Sequence, residues 1–188
     1  MQIQTDKKYT KHTFRKEDLN NVEFDSCEFV NCDFSELSFY NTEFLECKFD
    51  GCNLSSAVIG DVSFKDVEFV DCKIIGVDFS ICNEFLLEFS FSNCTLDYSL
   101  FSNLKMTKTK FRDCSLVDVD FTNAKLQSSV FDNCNLMGAL FENTHLEKVD
   151  FRTANNFTIN PENNRMKKAK FSILGANNLL DKYDLIIN

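Results

Sequence analysis

The chain has 188 residues, enough for one domain with a continuous core; it is rich in Phe (21) and Cys (9), has one Pro and lacks Trp. Residues 1–16 are polar and basic with no apolar signal core, and no stretch approaches the roughly 20 apolar residues of a membrane span, so a soluble cytoplasmic protein with reduced thiols is expected. The formal charge of -9 is uneven: residues 1–16 carry five bases and one acid, residues 17–88 three bases and seventeen acids, and residues 89–188 twelve bases and eleven acids, which argues against free nucleic acid as a partner of the acidic block.

Residues 1–16 read as an N-terminal cap. Tyr9 and Phe14 are five apart, in step with the chain beyond them, but the residues two before them, Lys7 and His12, are polar. From Phe14 a period of five takes over: Leu19, Phe24, Phe29, Phe34, Phe39, Phe44, Phe49, Leu54, Ile59, Phe64, Phe69, Ile74 and Phe79. After a slip it resumes at Leu86 and runs through Phe91, Leu96, Phe101, Met106, Phe111, Leu116, Phe121, Leu126, Phe131, Leu136, Phe141 and Leu146 to Phe151. A small residue stands two before most centres, as in Cys27, Cys32, Cys47, Cys52, Ala57, Val62, Cys72, Cys94, Cys114 and Cys134. Residues two apart on an extended segment point to one side, so large and small side chains fill a common interior. Asn31, Asn41, Gly51, Asn93, Asn103, Asn123, Asn133 and Asn143 suit corners that redirect the chain. The period is neither helical nor that of a simple strand.

The residues from Cys82 to Glu88 interrupt the pattern. Steps of 20 from Phe29 reach Phe49 and Phe69, one step of 22 reaches Phe91, and steps of 20 then reach Phe111, Phe131, Phe151 and Phe171. Cys32, Cys52, Cys72, Cys94, Cys114 and Cys134 obey the same rule. The interruption is therefore a two-residue bulge within one solenoid spanning residues 17–171, and residues 152–171 form a degenerate last coil.

The remaining segment, 172–188, differs in kind. Ala176 to Lys182 is expected as a short helix capped by Asn177 or Asn178, and Leu185, Ile186 and Ile187 as a short strand. Leu179, Leu180, Tyr183, Leu185, Ile186 and Ile187 either plug the last coil or meet a second copy of the chain, and both uses are compatible.

From residue 12 to 171 the sequence resembles the pentapeptide-repeat family, whose motif is a small residue, a polar one, a central Leu or Phe and two more polar residues. The resemblance implies an all-β fold: a right-handed quadrilateral parallel β-helix with four repeats per coil, closed by a short C-terminal helical cap. It further implies likeness to the quinolone-resistance members, dimeric rods that engage DNA gyrase or topoisomerase IV as DNA mimics. On that reading Glu23, Asp25, Glu28, Asp33, Glu36, Glu43, Glu46, Asp61, Asp66, Glu68 and Asp71 form an acidic surface, and the C-terminal apolar residues pair two chains. Two departures stand out: the bulge is too short to be a projecting loop, and Lys105, Lys108, Lys125 and Lys148 recur on one face of the half that dimerisation would make central.

Catalytic and metal chemistry find little footing. The Cys pairs lie five apart on adjacent faces, unlike the close pairs of zinc sites, and suit the tight inner position. His12 and His145 are far apart, with His145 expected at the surface, and only five Gly are present. The expectation is a non-enzymatic binding protein without cofactor or metal, forming a homodimer through its C-terminus and engaging a protein partner; a general interaction scaffold is the alternative to the DNA mimic.

Overall fold

The computed structural model describes residues 1–180 and residue 183. It is a parallel β-solenoid in which each residue pairs with the one 20 positions away, or 22 away across one insertion. Among the described residues eleven short strands carry the regular pairing: β1 (Gln2–Thr5), β2 (Lys8–Thr10), β3 (Val22–Asp25), β4 (Glu28–Val30), β5 (Glu43–Leu45), β6 (Lys48–Asp50), β7 (Ser63–Lys65), β8 (Val67–Val70), β9 (Phe89–Ser92), β10 (Lys110–Arg112) and β11 (Val130–Asp132). One sheet has the order β1-β3-β5-β7 and forms face 1; the other has β11-β10-β9-β8-β6-β4-β2 and forms face 2. Faces 3 and 4 are joined by single parallel bridges, such as Thr13 to Asp33 and Asp33 to Asn53 on face 3, and Leu100 to Asp120 and Asp120 to Leu140 on face 4. Pairing begins at Gln2, so β1 and β2 already form a coil on which the next one stacks.

The interior is set by the five-residue period. Every centre from Phe14 to Phe79 and from Phe91 to Phe151 is buried. On face 2, Tyr9, Phe29, Phe49, Phe69, Phe91, Phe111, Phe131, Phe151 and Phe171 make one continuous stack, with successive ring centroids 4.7–5.4 Å apart and ring planes within 3° to 16°. That spacing is the inter-strand distance carried inward, and it lets offset aromatic stacking add to burial. The rod from Phe29 to Phe171 is roughly 34 Å long on the same spacing.

Corners are turned by the residue two after most centres, which takes a left-handed backbone, as at Asn31 (φ 53°), Asn41 (φ 51°) and Asn123 (φ 59°). Asn tolerates that region better than most side chains. The corner amides also form ladders, with Asn41 Nδ2 donating to Asn21 Oδ1 at 2.9 Å and Asn123 Nδ2 to Asn103 Oδ1 at 3.1 Å. Gly51 and Gly138 occupy two such corners because a Cβ there would collide with the side-chain oxygens of Asn31 and Asp118 in the coil beneath.

The slip is of two residues, as the pairing of Phe69 with Phe91 and of Val67 with Phe89 shows. Its details correct the sequence reading at Leu86. Asn83 still bridges to Ser63, and Leu86 has φ 57°, so residues 82–86 continue the old register and Leu86 is a corner, 66% exposed, rather than a buried centre. Leu87 and Glu88 are the inserted pair. The centre of this repeat is Glu84, which is exposed. Phe89 supplies the missing apolar volume from the position two before Phe91, packing edge-on to Phe79 at 5.6 Å.

In the last coil the period gives way to Phe157 and Ile159, both buried, before Phe171 rejoins the face 2 stack. The C-terminal helix α1 spans Ile173–Asn178, earlier than the expected Ala176 to Lys182. Ser172 caps it, its hydroxyl accepting from Gly175 N at 3.0 Å, whereas Asn177 and Asn178 lie inside. Gly175 sits against the Phe157 ring, where a side chain would crowd it. The expected strand at Leu185, Ile186 and Ile187 lies outside the described residues.

Candidate interaction surface

The centre of the rod is filled by side chains, so chemistry directed inward has no room. The nine cysteines are all free and buried. In the column that opens face 3, Cys52 Sγ donates to Phe29 O at 3.2 Å and Cys134 Sγ to Phe111 O at 3.4 Å, so the thiols bond carbonyls of the coil below. Burial pushes the Cys47 and Cys82 thiols up to about 12, and hydrogen bonds to the next thiol along the column push Cys94 and Cys114 up to about 12. Thiols held neutral are poor nucleophiles and poor metal ligands. Among the described residues no group of His, Cys, Asp and Glu is arranged to hold a metal ion, and no helix is long and apolar enough to cross a membrane. His145, expected at the surface, is half-buried with Nδ1 2.9 Å from Gln127 Nε2. His12 packs edge-on to Phe14 at 4.5 Å.

What remains is the outside, and the pairing register sorts it. Of the acidic residues expected at the surface, Glu23, Asp25, Glu43, Glu46 and Asp66 lie on face 1 or the corner that leaves it; Glu28, Glu68 and Asp71 belong to face 2, Asp33 and Glu36 to face 3, and Asp61 to face 4. The face 2 acids are interleaved with bases: Glu28 pairs with Lys8 at 2.6 Å, and Lys48 with Asp50 at 3.0 Å. The Lys8 ammonium holds the Glu28 carboxyl below its usual range. Asp33 serves its own turn, accepting from Ser35 N at 3.0 Å and Ser35 Oγ at 2.7 Å, and these bonds lower its pKa, the Ser35 N–H first. Asp71 accepts from Asn93.

Face 1 is different. Its N-terminal half carries Glu23, Asp25, Glu43, Glu46 and Asp66 against one base in the same strip, Lys65, which pairs with Glu43 at 2.5 Å. Beyond the bulge the same outward positions become Lys105, Lys125, His145 and Arg165, joined by bridges in that order, with Lys108, Lys148, Lys167 and Lys168 beside them. The four lysines noted from the sequence thus share a face with the acids, at the other end of it. Steps of 20 and 22 applied to outward positions reveal this reversal, but the inward positions alone do not.

At the bulge two large apolar residues stand out of face 1, Phe85 (68% exposed) and Leu86 (66%). An open groove of about 480 Å³ runs beside them, lined by Leu45, Glu46, Lys65, Asp66, Glu84, Leu86, Leu87, Glu88, Lys105 and Thr107. The C-terminal end is the other apolar region. Leu179 packs against the core, while Leu180 is 38% exposed and the Tyr183 hydroxyl donates to Glu162 Oε1 at 2.6 Å. Leu185, Ile186 and Ile187 lie outside the described residues. Sequence reasoning missed Ile173 and Leu174, the most exposed large apolar residues of the described chain. The signal was Ser172, a capping residue whose helix begins at Ile173.

The pentapeptide repeat region family matches residues 22–101 and 82–151. Among solved structures the fold is similar to that of QnrB1, described as a plasmid-mediated fluoroquinolone resistance protein. A trypsin-treated variant gives a TM-score of 0.66 at 16% identity, covering 100% of this chain and 99% of that one. Full-length QnrB1 gives 0.58 at 17% identity, covering 97% of this chain and 100% of that one. At such identities the likeness is one of fold. Among curated proteins no sequence match was found.

Proposed function

Because the chain belongs to the pentapeptide-repeat family, we propose that it works by binding a protein partner on its flat outer faces, and that this partner is the DNA-binding surface of DNA gyrase or topoisomerase IV, met as a DNA mimic. The supporting observation is the acidic strip on the N-terminal half of face 1, where strand pairing sets Glu23 beside Glu43, Asp25 lies in the same strip, and Glu46 and Asp66 stand at the corners that leave it. The coils bring charges together at about 4.8 Å per step, and a fixed row of carboxylates on a rigid wall steers a basic cleft as a phosphate row does. Ile173 and Leu174 extend the apolar end proposed to pair two chains, alongside Leu179, Leu180 and Tyr183. The protein acts by occupancy rather than catalysis, in keeping with a filled core.

The test is a supercoiling assay with gyrase titrated by the protein, together with displacement of labelled duplex DNA from the enzyme. Salt-sensitive displacement that is lost in the Glu23→Lys, Glu46→Lys double variant is the expected result. No effect on supercoiling or DNA occupancy at micromolar protein would remove this reading. A second reading, a scaffold for an unrelated protein, is favoured by outward apolar residues on face 4, where Val58, Leu100 and Leu140 are exposed. Capture that survives high salt and is lost in Leu100→Asp would support it.

A further inference from the structure

Face 1 carries opposite charges on its two halves, and neither a nucleic acid nor a uniformly basic surface satisfies both. We infer that it is a self-complementary docking surface, on which a second copy of this chain lies antiparallel with its acidic half over the first copy's basic half and Phe85 and Leu86 near the two-fold axis. The geometry carries this. Four repeats of face 1 precede the repeat of Glu84, centred on Gln4, Phe24, Phe44 and Phe64; four come after it, centred on Met106, Leu126, Leu146 and Met166. A two-fold axis through the middle repeat, lying across the rod, therefore superposes whole coils. It sets the coil of Asp66 opposite the second copy's Lys105 and Lys108, that of Glu46 opposite its Lys125, and that of Glu23 opposite its Lys148. A parallel arrangement would place mostly like charge on like charge, which is disfavoured; Lys65 in the acidic half and Glu147 in the basic half are the exceptions.

Two further observations point to the same occupant. Among the described residues, Lys105, Lys108, Lys125, Lys148 and Arg165 form no ion pair within the chain, whereas several bases of face 2 do, at Lys8, Lys48, Arg112 and Arg152, Lys110 being unpaired. The apolar pair also stands at the centre of the strip rather than at its rim. Phe85 and Leu86 project there, and Leu86 lines an open groove with Leu45 and Leu87, so each copy offers both a projection and a recess. An apolar centre flanked by charged arms matches the anatomy of association interfaces, and an isologous pair uses the same patch on both copies.

This pairing is distinct from the C-terminal one and covers the same acidic strip that the gyrase reading uses, so the two compete for it; sedimentation without gyrase tests the pairing alone. Sedimentation equilibrium of the full chain in about 0.01 M and about 0.5 M salt tests it directly. The Debye length falls from about 30 Å at the lower concentration to under about 10 Å at the higher, so association should weaken by at least about tenfold. The Glu23→Lys, Glu46→Lys variant and the Lys125→Glu, Lys148→Glu variant should each self-associate far less than the parent at low salt. Mixed in equal amounts they should associate again, because both arms of the mixed pair then carry opposite charges. Phe85→Ser should weaken every one of these pairings. Circular dichroism reports whether each variant is folded, and the salt dependence of the parent stands independently of the variants. A parent that is monomeric at low salt overturns the inference. So does association indifferent to both salt and charge reversal, which is the behaviour of apolar C-terminal pairing, or a mixture no more associated than its components. Unchanged pairing in Phe85→Ser overturns the placement of the axis.

Discussion

The coils before and after the inserted Leu87 and Glu88 are alike inside and opposed outside. Phe29, Phe49 and Phe69 stack as Phe91, Phe111 and Phe131 do, and the Cys column crosses the insertion without changing face. On face 1, however, Glu23 and Glu43 give way to Lys105 and Lys125 at equivalent positions. Inward residues answer to a fixed volume and a fixed strand spacing, so each coil repeats the last. Outward residues answer only to solvent and to whatever docks there, so they are free to reverse.

The largest test of that likeness is Phe49→Ala against Phe111→Ala. Each ring is fully buried in the same stack, and each truncation should cost about 3–5 kcal/mol in urea unfolding, with the two alike. A large inequality would mean that the halves have separate cores. At the seam, Phe89→Ala should cost on the order of 3 kcal/mol because Phe89, with partly buried Leu87 beside it, fills the space left by exposed Glu84. Leu86→Asn should be neutral or slightly stabilising, within about 0.5 kcal/mol, since an exposed left-handed corner suits Asn. Equal costs at the two positions would restore Leu86 to the core.

Smaller effects are expected from the thiols. Ser99 and Ser129 already occupy the small inner position and donate to Ile74 O at 2.8 Å and Met106 O at 3.1 Å. Cys52→Ser and Cys134→Ser should therefore each cost only about 1 kcal/mol, one on either side of the bulge. The parent's thiols should react with a disulfide reagent only as the chain unfolds. The smallest effect belongs to the C-terminal half of face 2. Hydrogen bonds from Arg152, with Nε 2.9 Å from Asp150 Oδ1, hold the Asp150 carboxyl below the ordinary value of 3.8. A carboxylate with a lowered folded pKa stabilises the fold above its unfolded value, and the contribution fades as pH falls through the folded one. Arg152→Ala should thus lower stability only slightly at neutral pH, because the guanidinium is solvated and screened. That difference should vanish in acid below both values; a difference that persists there would assign Arg152 a packing role instead.

Much of the architecture is legible in the residues themselves. The Phe29 to Phe171 column and the Cys32 to Cys134 column define the coil length, and their shared step of 22 sizes the insertion at two residues. Leu86 reads as a centre because it satisfies the spacing counted backward from Phe91, while Cys82 and Asn83 satisfy the one counted forward; only the bridge from Asn83 to Ser63 chooses between them. The helix starts three residues before its expected position because its cap, Ser172, comes directly after the last stacked ring, where the five-residue period masks a capping signal. Ile173 and Leu174 escape notice as a consequence.

By itself the sequence determined the coil: a large side chain every fifth residue can be buried on one side only if the backbone turns after each, and a column recurring at 20 is preserved only by four sides. Tertiary structure decided which outward residues meet. The sum of charge over residues 17–88 marks an acidic block, but charge acts across space rather than along the chain. Stacking coils spread those acids over four faces, concentrated six of them, Glu84 included, on one, and set the basic residues of the other half on that same face.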